Sequence, residues 1–187
     1  MCRMCLGFNS KPNDAMYIFY NDWSKTNIDG FGYWCETTGK KQHVLKSPHI
    51  EAFKTHKGIR QFMLHCRQKT SGDKKGNGNG NEQHPFISED GRYLLTHNGC
   101  LYGEEGLRKH LKHNGHKFIS HVDSEVLLHH FETYLRNHDG KITFEGAKKW
   151  METLNSFHVF GTLNAILFDR YTRDWIAISE GSIWLLQ

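Results

Sequence analysis

Apolar positions along the chain keep two rhythms, and these predict different elements. Near the N-terminus they come in short runs. Cys2–Phe8 alternates loosely, and Ala15–Tyr20 and Gly30–Glu36 are strand-like, the latter aromatic and entered through Asp29-Gly30. Ser47-Pro48 predicts a short helix, with Ser47 as cap, Pro48 in its first turn and Gly58 beyond its end. Ile59–Arg67 (Ile59, Phe62, Met63, Leu64) predicts a buried strand, and Arg92–Thr96 another that ends in His97-Asn98-Gly99. The rhythm then changes. Helices are predicted over Glu104–His113, closed by Asn114-Gly115, and over Phe144–Leu154, with Thr143 as cap. The strongest helix follows Asp123, where Leu127, Leu128, Phe131, Tyr134 and Leu135 form one apolar face. Phe157–Phe168 and Trp175–Leu185 predict a closing pair of strands around the turn Asp169–Asp174. Strands at both ends with helices between them predict an α+β or layered α/β domain.

Length narrows this to one domain over 1–187, since 187 residues can bury a full core without a disulfide or metal staple. The segment SGDKKGNGNGNEQ at 71–83 is all polar and glycine-rich, so it is expected to be a flexible loop inside that domain. The longest apolar run, Ala15–Tyr20, is far too short to span a membrane. Net charge is 24 − 20 = +4 and the pI is about 8.8, short of the basic balance of a nucleic-acid binder, so none is expected as a partner. An odd set of cysteines (Cys2, Cys5, Cys35, Cys66, Cys100) without a signal peptide predicts a reduced, cytoplasmic protein.

Metal chemistry finds weak support in the spacing. Cys2-x-x-Cys5 suits a zinc finger, but His65-Cys66 is adjacent where a second ligand pair needs separation. Cys5, Cys35 and Cys100 sit beside apolar residues and are expected to be buried thiols. His110, His113 and His116 have helical spacing but run into Asn114-Gly115, which predicts a solvated face; His129 and His130 point in different directions on their helix. No metal and no cofactor are expected.

Other residues offer hydrolytic chemistry. Removal of Met1 before the small Cys2 would place a thiol and a free α-amine on one residue, and an amine with a pKa of about 7.7–8.0 can take the thiol proton. Asn98 and the Gly99 N–H can aim two donors at one oxygen, or simply shape an Asn-Gly turn. Arg67, at the end of a strand, can clamp a carboxylate, with Thr70 and Ser71 adding hydroxyls; it can also be a plain surface arginine. Asp123-Ser124-Glu125 can cap its helix, and Asp123 can also hold an ammonium group.

Taken in order, the N-terminal Cys2, the Arg67-x-x-Thr70-x-Gly72 after a strand, His84-Pro85, His97-Asn98-Gly99 and Asp123-Ser124-Glu125 resemble class II glutamine amidotransferase domains. Asp29-Gly30-Phe31-Gly32 is similar to the family's glycine-bearing strand, and Phe160–Leu185 to its closing strands. The resemblance implies a four-layer αββα sandwich of the N-terminal-nucleophile hydrolase type. It implies Cys2 as nucleophile with its own amine as base, and Asn98 and Gly99 as the oxyanion hole. Arg67 would bind the glutamine α-carboxylate and Asp123 its α-ammonium, with Thr70 and His84 in support. Ser71 stands where synthase members often carry histidine, and the loop to His84 is longer. The chain ends about where a synthase domain would begin, so a separate ammonia-accepting enzyme is the expected partner. Alternatives are a stand-alone amidohydrolase acting on another amide, and a zinc-dependent nucleic-acid-binding module.

Overall fold

The computed structural model describes residues 2–8, 29–36, 39–43, 61–68, 82–179 and 182–186. The expected strand at Ala15–Tyr20, the helix after Ser47-Pro48, Thr70 and nearly all of the 71–83 loop lie outside the described residues. The chain divides into two compact units, Met1–Pro85 and Phe86–Gln187.

The first unit holds a four-stranded antiparallel sheet in the order β1-β4-β2-β3. Its strands are β1 (Arg3–Phe8), β2 (Gly30–Cys35), β3 (Gly39–His43) and β4 (Gln61–Arg67). Every residue of β2 is buried, and so is β4 up to Cys66, which is why both read as continuous runs rather than alternating ones. Two glycines of β2 are required by what covers them. A Cβ on Gly30 would strike the Gln83 side-chain amide, and one on Gly32 the carbonyl oxygen of His84. Residues 83 and 84 therefore lie directly on the strand, where no side chain fits.

The second unit packs helices against a five-stranded sheet ordered β11-β10-β9-β6-β5, beside a two-stranded pair, β7-β8. In chain order come β5 (Phe86–Ile87), β6 (Tyr93–Asn98), β7 (Leu101–Tyr102), α1 (Glu104–His113), α2 (Asp123–Arg136) and α3 (Phe144–Ser156). They are followed by β8 (Phe160–Gly161), β9 (Asn164–Asp169), β10 (Trp175–Ser179) and β11 (Ser182–Leu186). The α2 residues Val126, Leu127, Leu128 and Phe131 enter one core with Leu107 of α1, Trp150 of α3, Leu95 of β6 and Leu167 of β9. Thr143 caps α3 by accepting the Gly146 N–H at 3.0 Å, an interaction typically worth about 1 kcal/mol. Past α1 the chain turns through Gly115 at φ 93°, as the Asn-Gly signal predicts.

The closing strands differ from expectation. Phe157–Phe168 is not one strand. Leu101 pairs with Gly161, so β8 leaves the main sheet to join β7, and the chain returns only at Asn164. Gly161 has φ 136° and its Cβ position is filled by the Cys100 carbonyl, so the strand cannot run straight through it. Trp175–Leu185 is a hairpin: Ser179 pairs with Ser182, leaving two residues between β10 and β11. β6 also runs beyond Thr96, so His97 and Asn98 belong to the strand itself. His116 is a further correction. It lies past the end of α1 and is buried, 7% exposed, where a solvated position was expected. Cys35 is fully buried, but Cys5 and Cys100 are only half-buried. Among the described residues, no helix is long and apolar enough to cross a membrane.

Candidate active site

The sequence-predicted site residues fall into two clusters, one in each unit. In the first unit, β1 starts where β4 ends, with Arg3 opposite Cys66. That register brings Cys2 to Gln68: the Gln68 N–H donates to Sγ at 3.4 Å, and the thiol faces the Gln68 carbonyl at 3.5 Å. The thiol is thus held by main chain one residue beyond Arg67. Arg67 itself pairs with Gly30, its carbonyl accepts the Asp29 N–H at 3.2 Å, and its guanidinium stands 3.9 Å from the Glu82 carboxylate. Cys2, Arg67 and the Asp29-Gly30 entry to β2 therefore occupy one end of one sheet. His84 is buried over β2, its ring centroid 4.2 Å from that of His65. Thr70 lies outside the described residues.

Neighbouring thiols in this unit are chemically quiet. Burial pushes Cys5 up to about 11, and Cys66, despite the opposing pull of Arg3, up to about 12. Both stay protonated at neutral pH, and a protonated thiol is a poor nucleophile.

In the second unit, β6 delivers His97 and Asn98 to the start of α2. His97 Nε2 is 3.0 Å from the Thr162 carbonyl, which can only accept, so the ring proton is assigned to Nε2. Nδ1 then accepts from the Ser124 hydroxyl at 2.9 Å. Burial lowers the His97 pKa, consistent with a neutral ring between these partners. Asp123 accepts the Leu101 N–H at 2.7 Å on one oxygen and the Ser124 N–H at 2.8 Å on the other. The His-Asn-Gly and Asp-Ser-Glu motifs are thereby tied together from both sides of Gly99. Gly99 is required at this point, because a Cβ there would meet the Thr162 carbonyl and approach His97 Nε2 at 2.7 Å. The Asn98 carbonyl accepts from Asn164 Nδ2 at 3.2 Å, and the Asn164 side-chain oxygen accepts from Ser179 at 2.7 Å.

Sequence reasoning named Asn98, Gly99 and Asp123 but passed over His97, Ser124, Thr162 and Asn164, which position them. His97 and Ser124 stood inside recognised motifs. Thr162 and Asn164 carried no local signal, since they act through a carbonyl and a cross-strand amide.

Both clusters rest on an α+β fold of the N-terminal-nucleophile hydrolase type. The chain aligns with glutamine phosphoribosylpyrophosphate amidotransferase from B. subtilis at a TM-score of 0.62, covering 96% of this chain and 37% of that one at 16% identity. It also aligns with a glutamine aminotransferase class-II domain protein from Silicibacter pomeroyi at a TM-score of 0.52, with 22% identity over 81% of this chain and 69% of that one. The glutamine amidotransferase domain family matches residues 74–177, more than half of the sequence, and the chain belongs to that family, in its class II branch. Among curated relatives, the glutamine–fructose-6-phosphate aminotransferase of Francisella tularensis is 30% identical over 159 residues, 84% of this chain and 23% of its own length. That of Sulfurisphaera tokodaii is 28% identical over 127 residues, 67% of this chain and 20% of its own. The chain thus spans about a fifth to a quarter of these relatives.

Proposed function

We propose that residues 1–187 act as one glutaminase domain that hydrolyses the side-chain amide of glutamine through Cys2. The observation that carries this reading is the seating of the Cys2 thiol on the Gln68 backbone, one residue from Arg67. With Met1 removed, the α-amine takes the thiol proton and the thiolate attacks the glutamine δ-carbon. Asn98 Nδ2 and the Gly99 N–H donate to the oxyanion that forms. The ammonium of Cys2 returns its proton to the leaving amide nitrogen, ammonia departs, and a thioester remains. Water, deprotonated by the same amine, releases glutamate and frees the thiol. Glutamine's α-carbon end is a zwitterion, so the fixed cation Arg67 and the fixed anion Asp123 recognise it, with Thr70 and His84 in support. The ammonia passes to a separate acceptor enzyme in the cytoplasm.

Intact mass first establishes that Met1 is gone. Cys2→Ala is then expected to abolish glutamate release with an unchanged circular dichroism spectrum, and a glutamine-analogue electrophile to label Cys2 alone. Labelling at Cys66 or Cys100, or turnover in the variant, overturns the assignment. Full turnover on glutamine without any acceptor present favours a stand-alone hydrolase over an ammonia donor.

A further inference from the structure

Away from both clusters, the second unit gathers a set of donors that glutamine hydrolysis does not use. Glu89, in the turn between β5 and β6, His116, between α1 and α2, and His129, on α2, each bring one ligand atom to within 4.8 Å of the others, with His116 Nδ1 3.7 Å from Glu89 Oε1. A fourth group faces them. Glu132, one turn beyond His129, places Oε2 3.5 Å from His129 Nδ1 and 3.9 Å from His116 Nδ1. That oxygen is buried and has no hydrogen-bond partner, although the other oxygen of the same carboxylate accepts from Arg136 at 2.9 Å. A buried carboxylate oxygen left unpaired is costly unless something positive meets it.

The two imidazoles pose the same question. Their Nδ1 atoms face each other at 3.1 Å. The far nitrogen of His116 sits 2.7 Å from the Thr133 hydroxyl, and that of His129 3.8 Å from the Glu125 carboxylate. The Glu125 carboxylate favours a proton on the far nitrogen of His129, and the Thr133 hydroxyl serves either tautomer of His116; with both far nitrogens protonated, two lone pairs point at each other across 3.1 Å. Only a proton or a cation between them relieves that contact.

We propose that Glu89, His116, His129 and Glu132 form a binding site for a divalent transition-metal ion of the zinc class. A tetrahedral ion with bonds of about 2.0–2.2 Å sets its ligand atoms about 3.3–3.6 Å apart. The separations about His116 and His129 are 3.1 Å between the imidazoles, 3.5 Å from His129 Nδ1 to Glu132, and 3.7 Å and 3.9 Å from His116 Nδ1 to Glu89 and Glu132, with the Glu89 and His129 ligand atoms within 4.8 Å. Two imidazoles select a zinc-like ion over magnesium or calcium, which prefer all-oxygen shells. Thr133 and Glu125 are the outer partners that metal-bound histidines usually have. Glu125 is itself fixed by the N–H groups of Ile119 and Ser120 and by the Ser120 hydroxyl. The ion would fasten the β5–β6 turn and the α1–α2 connection to α2.

Calorimetry of Zn²⁺ into the chelator-treated full chain tests the site. One ion per chain is expected with a Kd below about 1 µM. Thermal denaturation with excess Zn²⁺ should shift upward by about 5 °C or more. Glu89→Gln, at an exposed side chain whose amide oxygen can still accept the Lys117 N–H that Glu89 Oε1 accepts at 2.9 Å, should weaken binding at least about 10-fold. His129→Gln should remove the site, and Co²⁺ in the wild type should give the visible bands of a tetrahedral ion. If His129→Gln fails to fold, Glu89→Gln and the Co²⁺ spectrum decide. No binding tighter than about 10 µM, or tight binding unchanged in Glu89→Gln, overturns the proposal and leaves His116 and His129 as a pair sharing a proton.

Discussion

The carboxylate of Asp123 accepts the backbone N–H of Leu101 at 2.7 Å, which ties the first residue of α2 to the loop that carries Gly99. In the proposed reaction Asp123 thus has two tasks, reading the substrate ammonium and holding the oxyanion loop. Two substitutions separate them. Asp123→Asn keeps an acceptor for Leu101 but loses the charge, so KM for glutamine should rise with kcat nearly held. Asp123→Ala loses both, so kcat should fall as well. On an analogue without the α-amine, Asp123→Asn should match the wild type. Arg67→Ala should show the mirror pattern on an analogue whose carboxylate is amidated. Each loss on glutamine is expected at about 10²-fold or more in kcat/KM. Equal losses on every analogue would show that neither residue reads the zwitterion.

Asn98 sits in β6, where its backbone carbonyl serves Asn164, so truncating the side chain leaves that bond intact. Asn98→Ala is therefore expected to lower kcat by about 10²–10³ with little change in KM or melting temperature. A fall in melting temperature with kcat preserved would assign Asn98 to the architecture of the strand end.

Helices were the most legible part of the fold. Leu127, Leu128, Phe131, Tyr134 and Leu135 announce α2 because one face must be apolar to reach the core, and all are buried. Asp29-Gly30-Phe31-Gly32 was legible as a glycine-bearing strand, but not the reason for its glycines, which is the close passage of Gln83 and His84 over it. Sheet membership was not. Nothing local in Phe157–Phe168 says that Gly161 pairs with Leu101, some 60 residues earlier, because that choice belongs to the partner strand. For the site, a motif exposes the residues proposed to meet substrate but not those that hold them from another strand. Thr162 and Asn164 were invisible for that reason. His116 was misplaced because its helical spacing continues past the Asn-Gly stop, after which the chain turns inward.

Arg92 and Asp169 join the start of β6 to the end of β9 without any sequence signal. Arg92 Nε donates to Asp169 Oδ2 at 2.8 Å, and Nη2 lies 2.6 Å from the same oxygen. Asp169 is wholly buried, and its other oxygen accepts the Tyr171 N–H at 2.9 Å, which starts the turn into β10. Removing the carboxylate leaves the Tyr171 N–H without its acceptor and Arg92 with the Gly140 carbonyl, at 2.9 Å, as its remaining partner. Asp169→Ala should cost about 3–5 kcal/mol in urea denaturation. A loss under about 1 kcal/mol would mean that water replaces the pair.

Acid sensitivity follows from His130, whose Nδ1 accepts the Trp150 indole N–H at 3.0 Å inside the helical layer. Burial foremost, with the His110 charge adding, lowers its pKa from 6.5 to about 4. Between those values the unfolded chain binds a proton that the folded chain refuses, so stability is present above about pH 6.5 and drains away toward pH 4. His129 runs the other way: raised to about 9, its contribution is complete below about 6.5 and lost only as pH climbs through 9. His97 and His116, also lowered by burial, add to the acid limb, so wild-type unfolding alone cannot assign it. His130→Gln can, because the glutamine carbonyl still accepts from Trp150 but does not titrate. With chelator present throughout, the stability gap between wild type and His130→Gln should shrink by about 2 kcal/mol between pH 7.5 and pH 5. A constant gap would mean that His130 is protonated in the folded chain and that Trp150 donates elsewhere.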